Sequence, residues 1–527
     1  MNTMKGKIPL MKFQTNRRKF LFLLVSTLAW LFTPTMAQNV DPDRSKRHGP
    51  GGGRRRGAED YVLPQELSAF SWLSLVLGRV SDQSVTVSSL AKETIEGFFE
   101  YGTASGNYNR KTTLLTLPAG RPVEQTFDNL QPNTEYFYRL NFRKPGETNF
   151  TARPECRFHT QRAAGGTFTF AIQGDSHPER PQMSEPNFYA RTLLNAAADK
   201  PDFYICMGDD FSVDTLRTIN ADTVAERYTL QRPFLGLVAQ SAPLFLVNGN
   251  HEQASLFNYN QLDVRHEVAV LAQNSRNRYF PMPAPDGFYT GDTAPLKSIG
   301  LRKDYCAWTW GDALFVILDN YWHSPEQVDS GFHEEEAGGG KNGHAGNKNR
   351  DWWGLTLSDA QYQWFKHTLE QSKARYKFVF AHHVLGSGRG GIEESDLYEW
   401  GGRNKRGDWE FSQKRPGWEL PIHQLMVKHS VTIFFQGHDH LFVRQERDGV
   451  VYQEVPMPAD QGYVAYNQDR YQSGVKLPNS GHLRVTVSPE QVKVDYVRCY
   501  LPKDETVQQK TGEVAHSYSI KAKGDHA

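Results

Sequence analysis

The chain has little cysteine: four in 527 residues, Cys156, Cys206, Cys306 and Cys499. None stands in a CxxC spacing, which argues against a thiolate metal site, although export would permit a disulfide. Cys206 and Cys306 lie inside apolar runs and read as buried thiols, which leaves only Cys156 with Cys499 open as a pair. Excess charge of either sign is missing too. Lys and Arg number 60 against 59 Asp and Glu, a net charge of +1, so the whole-molecule field argues neither for nor against a nucleic acid partner. With no groove-reading motif, no nucleic acid partner is expected. A bilayer-spanning apolar run is also absent. Phe20–Phe32 falls short of the roughly 20 residues that a transmembrane helix needs, so no membrane anchor is expected in the mature chain. Internal repeats are lacking, which excludes a solenoid or propeller.

What is present divides the chain into parts, and 527 residues imply two folded domains as the prior. Residues 1–37 read as a signal peptide. Arg17-Arg18-Lys19 precedes the apolar run, and Thr35-Met36-Ala37 forms a small-residue cleavage site before Gln38. Asn16-Arg17-Arg18-Lys19-Phe20-Leu21 also resembles a twin-arginine export signal, although Phe22 stands where that pattern often has Lys. A basic flank ending in two arginines is the plain alternative. The expectation is an exported protein, periplasmic or extracellular. Residues 38–66, with Gly51-Gly52-Gly53 and Arg54-Arg55-Arg56, read as a flexible linker.

Residues 67–162 alternate apolar and polar positions in short stretches such as Ser84–Ser88 and Thr94–Tyr101, parted by Gly, Asn and Pro turns. That pattern predicts a β-sandwich. Leu130-Gln131-Pro132-Asn133-Thr134-Glu135-Tyr136 resembles the corner motif of fibronectin type III domains, in which a Tyr hydroxyl bonds back to nearby backbone. From Thr167 strands alternate with helices. Helices are expected over Asn187–Ala198, over Asp222–Gln240 with an interruption at Pro233, and from a capping box at Ser358-Asp359-Ala360-Gln361 to Lys373. Strand-like segments follow at Val450–Val455, His482–Val487 and Val492–Cys499. The fold class expected is multidomain α+β: the β-sandwich, then an αββα sandwich over 166–500, then a polar tail over 501–527.

Five clusters carry the chemistry: Gly174-Asp175-Ser176-His177, Gly208-Asp209-Asp210, Gly249-Asn250-His251-Glu252, His382-His383 and Gly437-His438-Asp439-His440. Each follows a short apolar run: Phe168–Ile172, Phe203–Met207, Leu244–Val247, Phe378–Ala381 and Thr432–Phe435. Such runs read as buried strands, so the polar groups sit beyond strand carboxyl ends, where α/β sheets place their sites. Asp, Asn and His supply oxygen and nitrogen ligands in about the number that two metal ions need. The donor set suits Zn, Mn or Fe, divalent or trivalent, without choosing among them.

In order and spacing these clusters resemble the signatures of the calcineurin-like metallophosphoesterases. The preceding sandwich and Val379-Phe380-Ala381-His382 resemble the purple acid phosphatase-like branch. The resemblance implies Asp175, His177, Asp209 and His440 on one metal and Asp209, Asn250, His382 and His438 on the other, with Asp209 bridging. It implies His251 as the catalytic residue that protonates the leaving group, after in-line attack on phosphorus by a hydroxide bridging the metals. His383 and Arg389 are candidates for substrate binding, with structural readings of both open. Ser212 stands where purple acid phosphatases carry the iron-binding Tyr, and His177 where they carry Gly. No tyrosinate-to-iron colour is therefore expected. The leading function is an exported hydrolase of phosphate monoesters. A phosphodiesterase acting on nucleotide, phospholipid or wall-polymer diesters is the alternative. A metal-stabilised surface-binding protein is the non-enzyme alternative, and the oligomeric state is left open.

Overall fold

The computed structural model describes residues 67–252, 262–324, 352–384 and 389–522. The expected signal peptide and linker, the Gly-rich stretch 331–351, which reads as a long loop, and residues 385–388 lie outside the described residues. Among the described residues no helix is long and apolar enough to cross a membrane.

Alternation of apolar and polar residues builds the first part as expected. Nine strands run β1 Leu73–Gly78, β2 Val85–Ala91, β3 Ile95–Gly102, β4 Arg110–Lys111, β5 Leu115–Leu117, β6 Val123–Phe127, β7 Glu135–Arg143, β8 Thr151–Ala152 and β9 Cys156–His159. One sheet has the order β1-β2-β6; the other is β4-β3-β7-β8, with β5 beside β3 and β9 beside β7. All pairings within them are antiparallel. Phe99, Phe127, Tyr138 and Phe158 fill the space between the sheets, ring against ring. The corner forms: the Tyr136 hydroxyl accepts the Gln131 N–H at 2.9 Å.

Two larger sheets follow. The first has the order β12-β11-β10-β21-β22-β23, from β10 Phe168–Gln173, β11 Tyr204–Cys206, β12 Leu244–Leu246, β21 Gly481–Val487, β22 Gln491–Arg498 and β23 Val514–Lys521. The second has the order β13-β14-β15-β16-β17-β19-β18-β20. Its strands are β13 Thr290–Gly291, β14 Cys306–Trp310, β15 Ala313–Ile317, β16 Tyr376–Phe380, β17 Ile433–Gln436, β18 Phe442–Arg447, β19 Val450–Glu454 and β20 Val475–Leu477. The central strands are buried on both faces, and for that reason they read as continuous apolar runs. Aromatic rings lock the sheets face to face: Phe170 packs against Phe315 and Phe378, and Phe245 stacks on Trp308 with centroids 4.0 Å apart. Helices Pro186–Ala198, Ala221–Ala239 and Leu262–Tyr279 accompany the first sheet, Ser358–Gln371 and Ile422–Lys428 the second.

Three local expectations change. Helix Ala221–Ala239 runs unbroken through Pro233, because its tertiary packing outweighs the lost backbone bond. Its start carries the reciprocal capping box, with Asn220 and Thr223 as partners. The box expected at Ser358 does not form: Gln361 turns inward to bond the Asp319 backbone N–H and carbonyl at 2.9 and 2.8 Å. The polar segment after Leu501 supplies the edge strand β23, which pairs with β22. Cys156 and Cys499 are free and far apart in setting, one against Gln240 and the other against Thr511.

The β-sandwich is sewn to the larger part by buried polar bonds. Arg232, on helix Ala221–Ala239, donates to the carbonyls of Ser88 (2.8 Å), Ser74 (3.3 Å) and Tyr279 (2.7 Å). Tyr138 donates its hydroxyl to the Gln240 carbonyl at 2.6 Å.

Candidate metal centre

Strands β10, β11 and β12 are mutually parallel in one sheet, as are β15, β16 and β17 in the other. Their carboxyl-terminal loops therefore emerge on common edges and bring the five clusters together. The loops touch so closely that two positions exclude a side chain. A Cβ on Gly208 would lie 2.5 Å from the Gly249 nitrogen, and one on Gly249 would lie 2.2 Å from Asp209 Oδ1. His177, Asp209, His438 and His440 all hold positive φ, at 38°, 58°, 78° and 60°. Side chains rarely adopt that conformation, so these four positions carry backbone strain.

The hydrogen bonds fix which ring nitrogens carry lone pairs. His382 donates Nδ1–H to the Met207 carbonyl at 2.8 Å. Its Nε2 then faces Asn250 Oδ1 at 3.0 Å and Asp209 Oδ2 at 3.2 Å. Asn250 Oδ1 also lies 2.9 Å from His438 Nδ1. On the other side His177 donates Nδ1–H to Glu179 at 3.0 Å. Its Nε2 faces His440 Nε2 at 3.2 Å and Asp209 Oδ2 at 3.6 Å, and His440 Nε2 stands 2.9 Å from Asp175 Oδ2. Acceptor groups this close repel unless a cation, a proton or a metal ion, lies between them. Two such groups, Asp175 with His177 and His440, and Asp209 with His382 and His438, each fit one metal ion. Asp209 Oδ2 approaches both, which suits a bridging carboxylate.

Electrostatics agree with the donor geometry. Burial pushes His177, His438 and His440 down, His440 to about 4, which keeps them in the neutral, ligating form. Burial also opposes charge on His382, but the Asp209 and Asp175 carboxylates outweigh it and raise His382 to about 10. Burial alone would raise Asp175; the neighbouring His382 and His440 rings instead bring it to about 2. The carboxylates thus hold positive charge at the centre of the cluster.

His251 follows Asn250, and its Nε2 lies 3.8 Å from Asp209 Oδ2. Its Nδ1 bonds Asp214 at 2.7 Å and its Nε2 meets Arg180 Nη2 at 2.8 Å. Burial presses His251 down, yet Asp214 and Asp209 leave it raised. Glu252 holds the loops in register. Its carboxylate accepts the N–H groups of Gly249 (2.7 Å), Asp209 (3.0 Å), Asp210 (2.6 Å) and Phe211 (2.9 Å).

The remaining candidates are placed as follows. His383 is buried beside His438, with Tyr321 and Asn320 near its Nδ1, and burial with the charge on His382 pushes it down to about 3. Arg389 donates to the His438 carbonyl at 2.6 Å and to Asp439 at 3.0 Å. Further along the chain, Arg403 bonds the Gly407 carbonyl, and Arg415 bonds Glu399 and the Trp353 carbonyl. Ser212 is buried with its hydroxyl 3.4 Å from His177 Nδ1. The roles of Glu179, Arg180 and Asp214 escaped the sequence. Glu179 and Arg180 follow His177 by two and three places, but spacing alone does not distinguish them from any charged turn. Asp214 is brought to His251 only by tertiary contact.

A sequence profile described as calcineurin-like phosphoesterase matches residues 168–442, just over half of the chain. No curated protein matches the sequence. Among solved structures, a purple acid phosphatase from yellow lupin (Lupinus luteus) seeds is similar with TM-score 0.54 and 17% identity, covering 85% of this chain and 74% of that one. PhoD is similar with TM-score 0.54 and 15% identity, covering 86% of this chain and 90% of that one. At these identities the structural likeness concerns the fold.

Proposed function

The chain belongs to the calcineurin-like phosphoesterases and is a metal-dependent phosphoric ester hydrolase, and from that premise we propose that it hydrolyses phosphate monoesters after export. The observation that carries the monoester reading is the depth of the site. The ligand candidates and His251 are all buried among the described residues, and His440, the most open of them, is 6% exposed. A terminal phosphoryl group reaches such donors end-on, whereas a diester needs clearance on both sides of the phosphorus.

Asp175, His177, Asp209 and His440 would hold one ion, and Asp209, Asn250, His382 and His438 the other. A metal pair bound by these residues would supply Lewis-acid chemistry: a more acidic water and positive charge for a phosphoryl group. The protein's own contribution is proton control. The Asp214 carboxylate fixes the His251 tautomer and ring plane through Nδ1, which leaves Nε2 to carry the proton toward the departing oxygen. A leaving alkoxide needs that proton, and a placed general acid contributes about 10²–10⁴-fold. His383, held neutral against His438, lines the same wall.

The reading is tested with the purified mature chain loaded with Zn, Mn or Fe, on an aryl phosphate monoester and the matching diester. A higher kcat/KM for the monoester is expected. Preference for the diester would replace the monoester reading with a phosphodiesterase. No turnover of either with both ions bound would favour the binding protein.

A further inference from the structure

We propose that Arg180 is a substrate-binding residue that takes the third non-ester oxygen of a phosphate dianion and so selects monoesters over diesters. The proposal rests on the reading of the centre as a phosphate-binding site, and it assigns the anion contact to a residue outside the metal ligands.

Three observations carry it. Arg180 is 3% exposed, yet its guanidinium is at the centre: Nη2 lies 2.8 Å from His251 Nε2, and that nitrogen is 3.8 Å from Asp209 Oδ2. Its charge acts on Glu179, Asp209, Asp214 and Asp175. Second, its position is tied to the metal ligands. Glu179 Oε1 accepts from His177 Nδ1 at 3.0 Å and meets Arg180 Nε at 3.2 Å, and the Arg180 N–H bonds the His177 carbonyl at 3.0 Å. One carboxylate therefore sets both the ligand ring and the guanidinium. Third, Arg389, a further arginine of the described site, is engaged by the His438 carbonyl and Asp439.

The chemistry follows from counting oxygens. A phosphate monoester presents three non-ester oxygens, and a diester presents two. With Nδ1–H of His251 given to Asp214, Nε2 accepts the Arg180 N–H in the free protein. An arriving phosphoryl oxygen is a stronger, charge-assisted acceptor for that N–H. Moving the guanidinium bond from His251 to the phosphate also frees the Nε2 lone pair to take up a proton from solvent, and it is that proton which the leaving group takes, returning His251 to its neutral form. Substrate binding and readiness of the acid are thereby linked through one side chain. In a diester the oxygen facing Arg180 bears a substituent and carries less charge.

The test uses the full mature chain with Arg180→Gln and Arg180→Lys. The readouts are bound metal per chain, the Kd of inorganic phosphate by equilibrium dialysis, and KM and kcat on the aryl monoester and diester. Arg180→Gln is expected to keep its metal while the phosphate Kd and the monoester KM rise about 10- to 100-fold. The diester KM should change by less. Arg180→Lys keeps a charge near Glu179, but a single ammonium cannot span Glu179 and a phosphate oxygen as the fork does, so it should fall between. An unchanged phosphate Kd in Arg180→Lys would overturn the proposal, as would equal losses on monoester and diester, or loss of metal in both variants. Should the wild-type enzyme prefer diesters, the monoester reading falls on its own, because the phosphate Kd still reports whether Arg180 touches the anion.

Discussion

His251 illustrates how much one residue depends on a neighbour that its own motif does not contain. The Asn250-His251 pair sets the ring near the ligand candidates, but Asp214 decides which nitrogen faces them. A neutral His with its Nδ1–H on a carboxylate presents Nε2; with that carboxylate neutralised, either tautomer is available. His251→Ala is expected to retain both metals and lose about 10²–10⁴-fold in kcat on an alkyl phosphate. On an aryl phosphate, whose leaving group needs less help, the loss should be smaller. Asp214→Asn should show the same leaving-group pattern with a smaller loss. Equal losses on both substrates, in steady-state kinetics with metal content measured, would show that these residues act elsewhere than on the leaving group.

The elements matter here chiefly through their ends. Strands β10, β11, β12, β16 and β17 stop at the point where the chain must turn, and glycine at positions 208 and 249 lets two loops interlock without side chains between them. Glu252 then converts the interlocked loops into one unit by accepting four backbone N–H groups. Glu252→Gln replaces one acceptor oxygen with an NH₂ facing N–H donors. Metal affinity is expected to fall about 10–100-fold, as it does when outer partners of metal ligands are removed. The check is metal occupancy at buffered free Zn, with the circular dichroism spectrum unchanged. Full occupancy at the same free metal would mean that the loops hold their register without the carboxylate.

At the scale of the whole molecule, the β-sandwich is part of the folded body rather than an appendage on a tether. The buried Arg232 guanidinium meets two carbonyls across the seam, of Ser74 and Ser88, and that of Tyr279 on its own side, and burial lowers it only to about 9, so it remains charged. Arg232→Ala would strip those carbonyls of their donor, each unsatisfied group costing about 1–3 kcal/mol. A drop of about 3 kcal/mol, seen as a lower apparent Tm with metal content and kcat/KM preserved, is the expected outcome. An unaltered Tm would mean that apolar contacts alone hold the seam.

Both the sandwich and the paired central sheets were legible in the chain, because each leaves a local periodic trace: alternation for half-exposed antiparallel strands, unbroken apolar runs for strands buried on both faces. The seven ligand candidates were legible because they follow those runs directly. The elements misread were those whose local signals compete with packing. Pro233 ought to break a helix, and burial keeps it whole; Ser358 and Gln361 spell a cap, and Gln361 is instead spent on Asp319. The polar composition after Leu501 hid β23, because an edge strand buries only one side of alternate residues.

By itself, then, the sequence determined the fold class and the strand-end clusters of candidate metal ligands, both of which rest on residues near one another in the chain. Only the tertiary structure decided which charged groups surround His251, that Arg389 serves the loop of His438 and Asp439, and that Arg180 stands at the centre. Contacts of that kind join residues tens or hundreds of places apart, and the energy that selects them belongs to packing and burial rather than to any local pattern.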